Sequence, residues 1–120
     1  MYLPGDTIEV HKGIFRHPGI YVGFNNVFHN HPSSGEAIVD LTTYDPKGIS
    51  VLRCRPHSTH VPVILNRINQ IMQNPESYSP FTNNCEDSVS KVLTGKAGSP
   101  QREGWALFTV IAALTAAALR

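Results

Sequence analysis

The stretch HPGIYVGFNNVFH, residues 17–29, has the pattern of two β-strands joined by a tight turn. Both halves are rich in β-branched and aromatic residues, which favour strands. Asn25 and Asn26 interrupt the pattern, and asparagine tolerates the positive φ angles that two-residue hairpin turns require. The stretch therefore predicts an antiparallel hairpin, whose outer ends would place His17 and His29 near each other.

The rest of the chain adds strands before helices. Residues 6–10, 37–41 and 49–54 have strand-like composition and are separated by turn-rich segments. Residues 61–72 then carry apolar side chains at the spacing of an amphipathic helix. This order predicts the α+β class, with an antiparallel sheet packed on helices.

A second helix is predicted in TNNCEDSVSKVLTG, residues 82–95, with Asn84 as a suitable N-cap and Cys85 in the first turn. The N–H groups and partial positive charge at a helix start stabilise a thiolate and can also hold an oxyanion. Two acidic residues directly after Cys85 oppose a second negative charge there. Cys85 is therefore either a nucleophile or a small core residue at a helix start.

A thiol nucleophile needs a base, and histidine is the usual one. His17 and His29 are the strongest candidates, because the hairpin brings them together and one ring can then fix the tautomer of the other. His11, His57 and His60 lie in polar surroundings, where we expect surface positions.

Two alternative sites use the other cysteine or a metal. Cys54 lies between two arginines, but strand alternation predicts that its side chain faces the core, away from both charges. His29, His31 and Cys85 offer side chains found at zinc sites, without a second ligand pair at standard spacing. We expect Cys54 to be structural and the metal site to be the weaker hypothesis.

The composition restricts the class of protein. A chain of 120 residues is typical of one domain, and 16% charged residues with 41% hydrophobic residues indicate a globular fold. A net charge of +1 without a basic run argues against a nucleic-acid partner. Two cysteines are too few for a disulfide scaffold, and no secretory leader is evident, so we expect a cytoplasmic protein.

The C-terminal part differs from the rest. Residues 105–119, WALFTVIAALTAAAL, carry no charge but are slightly shorter than the usual membrane span of about 20 residues. A buried helix and a membrane contact are both consistent with this segment. We therefore divide the chain into a domain at 1–95, a linker at 96–104 and an apolar segment at 105–120.

Over residues 3–95 the chain resembles the lecithin:retinol acyltransferase-like family. HPGIYVG resembles the H-box of that family, and NNCE resembles its Asn-Cys-Glu motif, which some viral proteins share. The resemblance implies a circularly permuted papain-like α+β domain, which has its histidines before its cysteine. It also implies that Cys85 is the nucleophile, His17 the general base and His29 the orienting third residue.

The resemblance implies a thiol-dependent acyltransferase or hydrolase that forms an acyl-cysteine intermediate on a phospholipid or another lipid ester, without a cofactor. The alternatives are a cysteine peptidase or amidase acting on peptide or cell-wall bonds, and a non-catalytic interaction domain like some viral relatives. Pro18 replaces the usual aromatic residue of the family, and Asp87 and Ser88 replace a frequent His-aromatic pair. These differences bear on the substrate class.

Overall fold

In the computed structural model, residues 1–99 are described, and they form an α+β fold around one five-stranded antiparallel sheet. The strands are ordered β4-β3-β2-β1-β5. Their bounds are β1 Thr7–Lys12, β2 Phe15–Gly23, β3 Asn26–His31, β4 Gly35–Asp40 and β5 Val51–Cys54. The helices are α1 Leu41–Tyr44, α2 Val61–Gln73 and α3 Cys85–Thr94, with a 3₁₀ turn at Ser58–His60. The predicted α+β class and antiparallel sheet are confirmed.

The predicted hairpin is the β2–β3 pair, with a turn one residue earlier than expected. Phe24 and Asn25 have φ angles of 51° and 63°, and Gly23 pairs with Asn26 across the turn. Two successive positive φ angles match the right-handed twist of the flanking strands. The register of this hairpin determines which side chains reach the two faces of the sheet.

The predicted strand at residues 37–41 ends one residue early, because a short helix begins at Leu41. The Asp40 side chain accepts a hydrogen bond from the backbone N–H of Thr43, which caps α1. This turn of helix buries Tyr44, only 3% exposed, against the sheet. Sequence analysis did not predict α1, whose last residue borders the candidate site.

The two faces of the sheet belong to different apolar clusters, because successive strand residues point to opposite sides. On one face, β2 and β3 pack against α2 and α3; the buried residues there are Ile20, Phe28, Ile64, Ile68, Val89 and Val92. On the other face, α1 covers a smaller cluster of Ile8, Val10, Val27 and Tyr44.

A buried carboxylate fixes α3 to the sheet. The Glu36 side chain is 1% exposed and forms an ion pair with Lys91 Nζ at 2.9 Å. It also accepts hydrogen bonds from Ser88 Oγ at 2.7 Å and from the Glu76 backbone N–H at 2.8 Å. A buried charge is tolerated only when it is paired and hydrogen-bonded. This network therefore sets the position of the helix that carries Cys85.

Replacing Lys91 by Met should destabilise the fold by about 3 kcal/mol, because the Glu36 carboxylate stays buried without its counter-ion. Urea unfolding followed by circular dichroism measures the loss. The exposed Lys96, just after α3, provides the matched control, and Lys96→Met should change stability by less than about 0.5 kcal/mol. Equal effects of the two substitutions would contradict this role of Lys91.

The end of the described chain packs on the start of α3. Ser99 is 1% exposed, donates a hydrogen bond to Glu86 Oε1 at 2.7 Å and accepts one from Asn84 Nδ2 at 3.1 Å. The last described residue of the predicted linker 96–104 is thus tied to the helix that carries Cys85. Within residues 1–99, no helix is long and apolar enough to cross a membrane. The apolar segment 105–120 lies outside the described residues.

Candidate active site

The hairpin brings the two predicted imidazoles into direct contact. His17 Nε2 and His29 Nδ1 are 3.0 Å apart and form a buried hydrogen bond, with the residues 8% and 6% exposed. The contact arises because both side chains project from the same face of the sheet on neighbouring strands. The prediction that this hairpin joins His17 and His29 is confirmed.

Aromatic side chains enclose this pair. The Tyr44 ring lies 5.5 Å from the His17 ring and 5.6 Å from the His29 ring, between centroids. The Tyr44 hydroxyl donates a hydrogen bond to the His17 carbonyl at 2.6 Å, which fixes the backbone below the imidazole. His31 stacks on His29 with a centroid separation of 5.8 Å. The pair therefore has little freedom to rotate.

Burial keeps both imidazoles neutral. It lowers the pKa of His17 to about 3, helped by the charges that His29 and Lys12 carry when protonated. It also lowers the pKa of His29 to about 4, helped by His31 and Lys12. At neutral pH each ring therefore carries one N–H, and one of these protons bridges the pair.

The lowered pKa values predict loss of stability in acid. In the unfolded chain both rings bind protons near pH 6.5, whereas in the folded chain they do so only near pH 3–4. These two rings therefore leave the free energy of unfolding unchanged above about pH 6.5. Below that pH they lower it, by at most about 1.4 kcal/mol per pH unit for each ring. Urea unfolding between pH 7 and pH 4 measures this slope.

The variant His29→Asn should flatten that slope, because it removes one group whose pKa differs between the folded and unfolded states. His57→Asn is the matched control, because His57 is exposed. If His29→Asn kept the full slope of the parent, the buried neutral pair would not be its cause.

The hydrogen bond also limits the tautomers. For His17 to accept a proton at Nδ1, its Nε2 must carry a hydrogen and donate it to His29 Nδ1. His29 then carries its own hydrogen on Nε2, which is buried without a hydrogen-bond partner within residues 1–99. His29 would therefore act as a neutral acceptor that orients His17, in the place where many thiol enzymes use an amide or a carboxylate.

Cys85 lies in the first turn of α3, after a reciprocal cap. The Asn84 side chain accepts a hydrogen bond from the Asp87 N–H, and the Asp87 carboxylate accepts one from the Asn84 N–H, both at 3.0 Å. This cap satisfies those two donors, and the backbone N–H groups of Cys85 and Glu86 act to lower the pKa of the Cys85 thiol. The predicted helix start and N-cap are confirmed.

The expected thiolate stabilisation at Cys85 is wrong. Burial and then the Glu86 charge raise the pKa of the thiol to about 11, although the N–H groups of Glu86 and Cys85 oppose the rise. The helix N-terminus acts in the predicted direction, but desolvation of a half-buried side chain outweighs it. Cys85 is therefore a neutral thiol at pH 7.

The helix that carries Cys85 packs on the face of β2 and β3 opposite to the imidazoles. Val89 and Val92 of α3 pack with the cluster of Ile20 and Phe28, whereas His17 shares its face with Tyr44. Within the described part of the chain, the Cys85 thiol makes no hydrogen bond to His17 or His29. The hydrogen bonds of residues 1–99 thus join His17 to His29, and none of them joins Cys85 to either imidazole.

Two interactions nevertheless tie Cys85 to the same end of the sheet. Asn30, directly after His29 in β3, donates from Nδ2 to the carbonyls of Asn83 and Asn84 at 2.8 and 3.3 Å. Burial, and next the charge of a Cys85 thiolate, raise the pKa of Tyr44, which packs against both imidazoles. The thiol therefore lies within electrostatic range of the ring that covers the histidine pair.

A cavity of about 480 Å³, here called the histidine cavity, opens beside the imidazoles. Lysines and apolar side chains surround it, and Cys85 is not among its lining residues. The lining comprises Val10, His11, Lys12, Gly13, His17, His29, His31, Thr43, Tyr44, Asp45, Pro46, Lys47 and Ile49.

The remaining predicted positions have mixed outcomes. His11, His57 and His60 are exposed as expected. Cys54 is predicted to face the core, but it is exposed. It lies in β5, an edge strand whose four residues are all exposed. Both cysteines are free. Within residues 1–99, no group of three or more histidine, cysteine or acidic side chains could hold a metal ion.

Sequence analysis missed Tyr44 and Asn30 as parts of the site. Tyr44 lies in a segment with turn-like composition, and no sequence pattern there indicates that its side chain is buried. Asn30 lies between His29 and His31, and strand alternation alone would direct it to the opposite face. That alternation is the signal that could have identified Asn30 as a contact of the helix start.

Comparisons with known proteins do not identify a family for this chain. No protein-family model matches it, and no curated protein matches it.

Proposed function

We propose that this protein is a thiol-dependent acyltransferase or hydrolase that forms an acyl-cysteine intermediate on a phospholipid or another lipid ester. The observation that carries the proposal is the buried 3.0 Å hydrogen bond between His17 and His29, tied through Asn30 to the helix start at Cys85. The proposal includes the circularly permuted papain-like arrangement, a cytoplasmic location and membrane contact through residues 105–119.

In the first step, the sulfur of Cys85 attacks the ester carbonyl while His17 Nδ1 takes the thiol proton. A neutral thiol and a neutral imidazole favour this concerted transfer over a preformed ion pair. The carbon–sulfur bond forms, the carbon–oxygen bond breaks, and His17 returns the proton to the leaving alcohol. A thioester on Cys85 remains.

The charge that develops on the carbonyl oxygen needs hydrogen-bond donors. The N–H groups of Cys85 and Glu86 lie at the capped start of α3, where they favour negative charge on the sulfur, and we propose that they also hold the oxyanion. Donors fixed in place before the reaction stabilise such an oxyanion more than mobile water does. In the second step His17 activates water, or an alcohol or amine acceptor, and the free thiol is regenerated.

The mechanism requires a thiol–imidazole hydrogen bond, which residues 1–99 do not form in this structure. Catalytic hydrogen bonds are often long or misaligned before substrate binds and tighten in the reactive complex. The proposal therefore includes a rearrangement of Cys85 or His17 when the acyl donor binds. Asn30 and the Glu36–Lys91 ion pair limit the size of that movement, because they fix α3 to the sheet.

The histidine cavity favours a phospholipid as the acyl donor. Lys12 and Lys47 supply positive charge at its wall, and Val10 and Ile49 supply apolar surface. A phosphate next to an acyl chain matches that combination. Peptide and cell-wall amides remain the enzymatic alternatives.

A non-catalytic interaction domain is the second candidate function. The absence of a thiol–imidazole hydrogen bond within residues 1–99 and the raised pKa of Cys85 favour it. In that case the buried histidine pair would serve only the packing of the sheet against α1. The experiment below separates the two candidates.

Incubation with phosphatidylcholine vesicles followed by intact-mass measurement tests the proposal. The mass should rise by one acyl chain, and peptide mapping should place it on Cys85. An N-acyl peptide and a cell-wall fragment serve as parallel substrates that would identify amide chemistry instead. No covalent product and no turnover with any of the three would support the non-catalytic domain.

A further inference from the structure

One edge of the histidine cavity exposes apolar side chains on the tips of two loops. Ile14 lies at the tip of the β1–β2 hairpin and is 85% exposed, and Ile49 in the loop before β5 is 50% exposed. Gly13, next to Ile14, has a φ angle of +63°, which lets the hairpin turn tightly at this point. We call Lys12, Gly13, Ile14, Lys47 and Ile49 the cavity rim.

The rim is positively charged. Lys12 and Lys47 are exposed, and within the described residues neither forms an ion pair. The nearest buried carboxylate in the wall, Asp45, accepts hydrogen bonds from the backbone N–H groups of Ile49 and Ser50 at 2.9 and 2.8 Å. That carboxylate is occupied within its own loop, so it does not neutralise the lysines by contact.

We infer that the cavity rim docks on a membrane surface that contains anionic lipids. Exposed apolar side chains beside lysines are the arrangement that inserts shallowly at the headgroup level, with the ammonium groups on the lipid phosphates. A protein partner fits less well, because a stable protein interface needs about 800 Å² per partner and the rim offers two projecting isoleucines. In this orientation the histidine cavity opens toward the bilayer.

This inference shares Lys12 and Lys47 with the proposed phospholipid site but not the chemistry of acyl transfer, so each can fail without the other. The rim contains neither Cys85 nor the imidazole pair, so Cys85→Ala should bind vesicles like the parent. It also differs from the expected contact of residues 105–119, because that segment carries no charge and would not distinguish anionic from neutral lipid.

The first test measures vesicle binding of the full chain by co-sedimentation. Binding to phosphatidylcholine vesicles containing about 30% phosphatidylserine should exceed binding to pure phosphatidylcholine. The double variant Lys12→Gln, Lys47→Gln should lose about 25-fold in affinity for the anionic vesicles, at roughly fivefold for each lysine. Lys96→Gln, at an exposed lysine outside the rim, should leave binding unchanged.

The second test locates the contact with tryptophan fluorescence. Ile14→Trp should show an emission shift to shorter wavelength when anionic vesicles are added, relative to the parent chain with its single tryptophan. Phe24→Trp is the matched control, because Phe24 is 99% exposed at the tip of the β2–β3 turn, away from the rim. No extra shift for Ile14→Trp would overturn the inference. Equal binding of the parent and the double lysine variant would also overturn it and would favour the apolar segment, or a protein partner, instead.

Discussion

Replacing Cys85 by Ala is expected to abolish the acyl-enzyme adduct and to lower turnover of a phospholipid ester by about 10⁴-fold or more. The reason is chemical, because alanine offers no nucleophilic atom on which the acyl-cysteine intermediate could form. Intact mass and release of fatty acid measure the two effects. Circular dichroism should show an unchanged fold, since the substitution removes one sulfur from a half-buried position.

Cys54→Ala is the matched control for this prediction. Cys54 is exposed on β5, and its removal should leave both the adduct and turnover intact. A small thiol reagent at pH 7 should react with the two cysteines in the opposite order to the lipid ester. It should modify Cys54 before Cys85, because burial and a pKa of about 11 protect Cys85. If the lipid adduct formed on Cys54, or survived in Cys85→Ala, Cys85 would not be the nucleophile.

Replacing His17 by Asn should lower turnover by about 10²–10⁴-fold, the usual contribution of a general base. Asparagine fills similar space and can still hydrogen-bond to His29, so the fold should persist. The loss should fall on kcat rather than on KM, since His17 transfers a proton and does not hold the headgroup. Steady-state kinetics with phospholipid vesicles measures this split.

His29 should respond differently, because it is a positioning residue that acts through His17. His29→Gln keeps an acceptor for the His17 N–H and should cost about tenfold, whereas His29→Leu removes the acceptor and should cost about 10²-fold or more. Rescue by glutamine would distinguish orientation of His17 from simple packing. If glutamine and leucine cost the same, the hydrogen bond between the two rings would have no catalytic role.

The hairpin and its histidine pair could be predicted from sequence because their determinants are local. The β-branched residues of β2, the asparagines near the turn and the period of two together fix which side chains meet. The start of α3 could also be predicted from sequence, because Asn84 is an N-cap that acts within its own turn.

The rest depends on contacts between distant segments. The network of Glu36, Ser88 and Lys91 joins β4 to α3, and no local pattern indicates it. The pKa of Cys85 was mispredicted for the same reason. The helix N-terminus is a local property, whereas desolvation depends on what packs over the sulfur. The exposure of Cys54 follows from the position of β5 at the sheet edge, which the chain order does not reveal.

β3 serves both sides of the sheet at once, with His29 turned toward its partner imidazole and Asn30 toward the start of α3. Adding or deleting one residue in this strand would turn Asn30 toward the histidine cavity and His29 toward α3. Only the addition or deletion of an even number of residues keeps each side chain on its own face of the sheet. A change in length by an odd number of residues is therefore tolerated only in the loops that flank this strand.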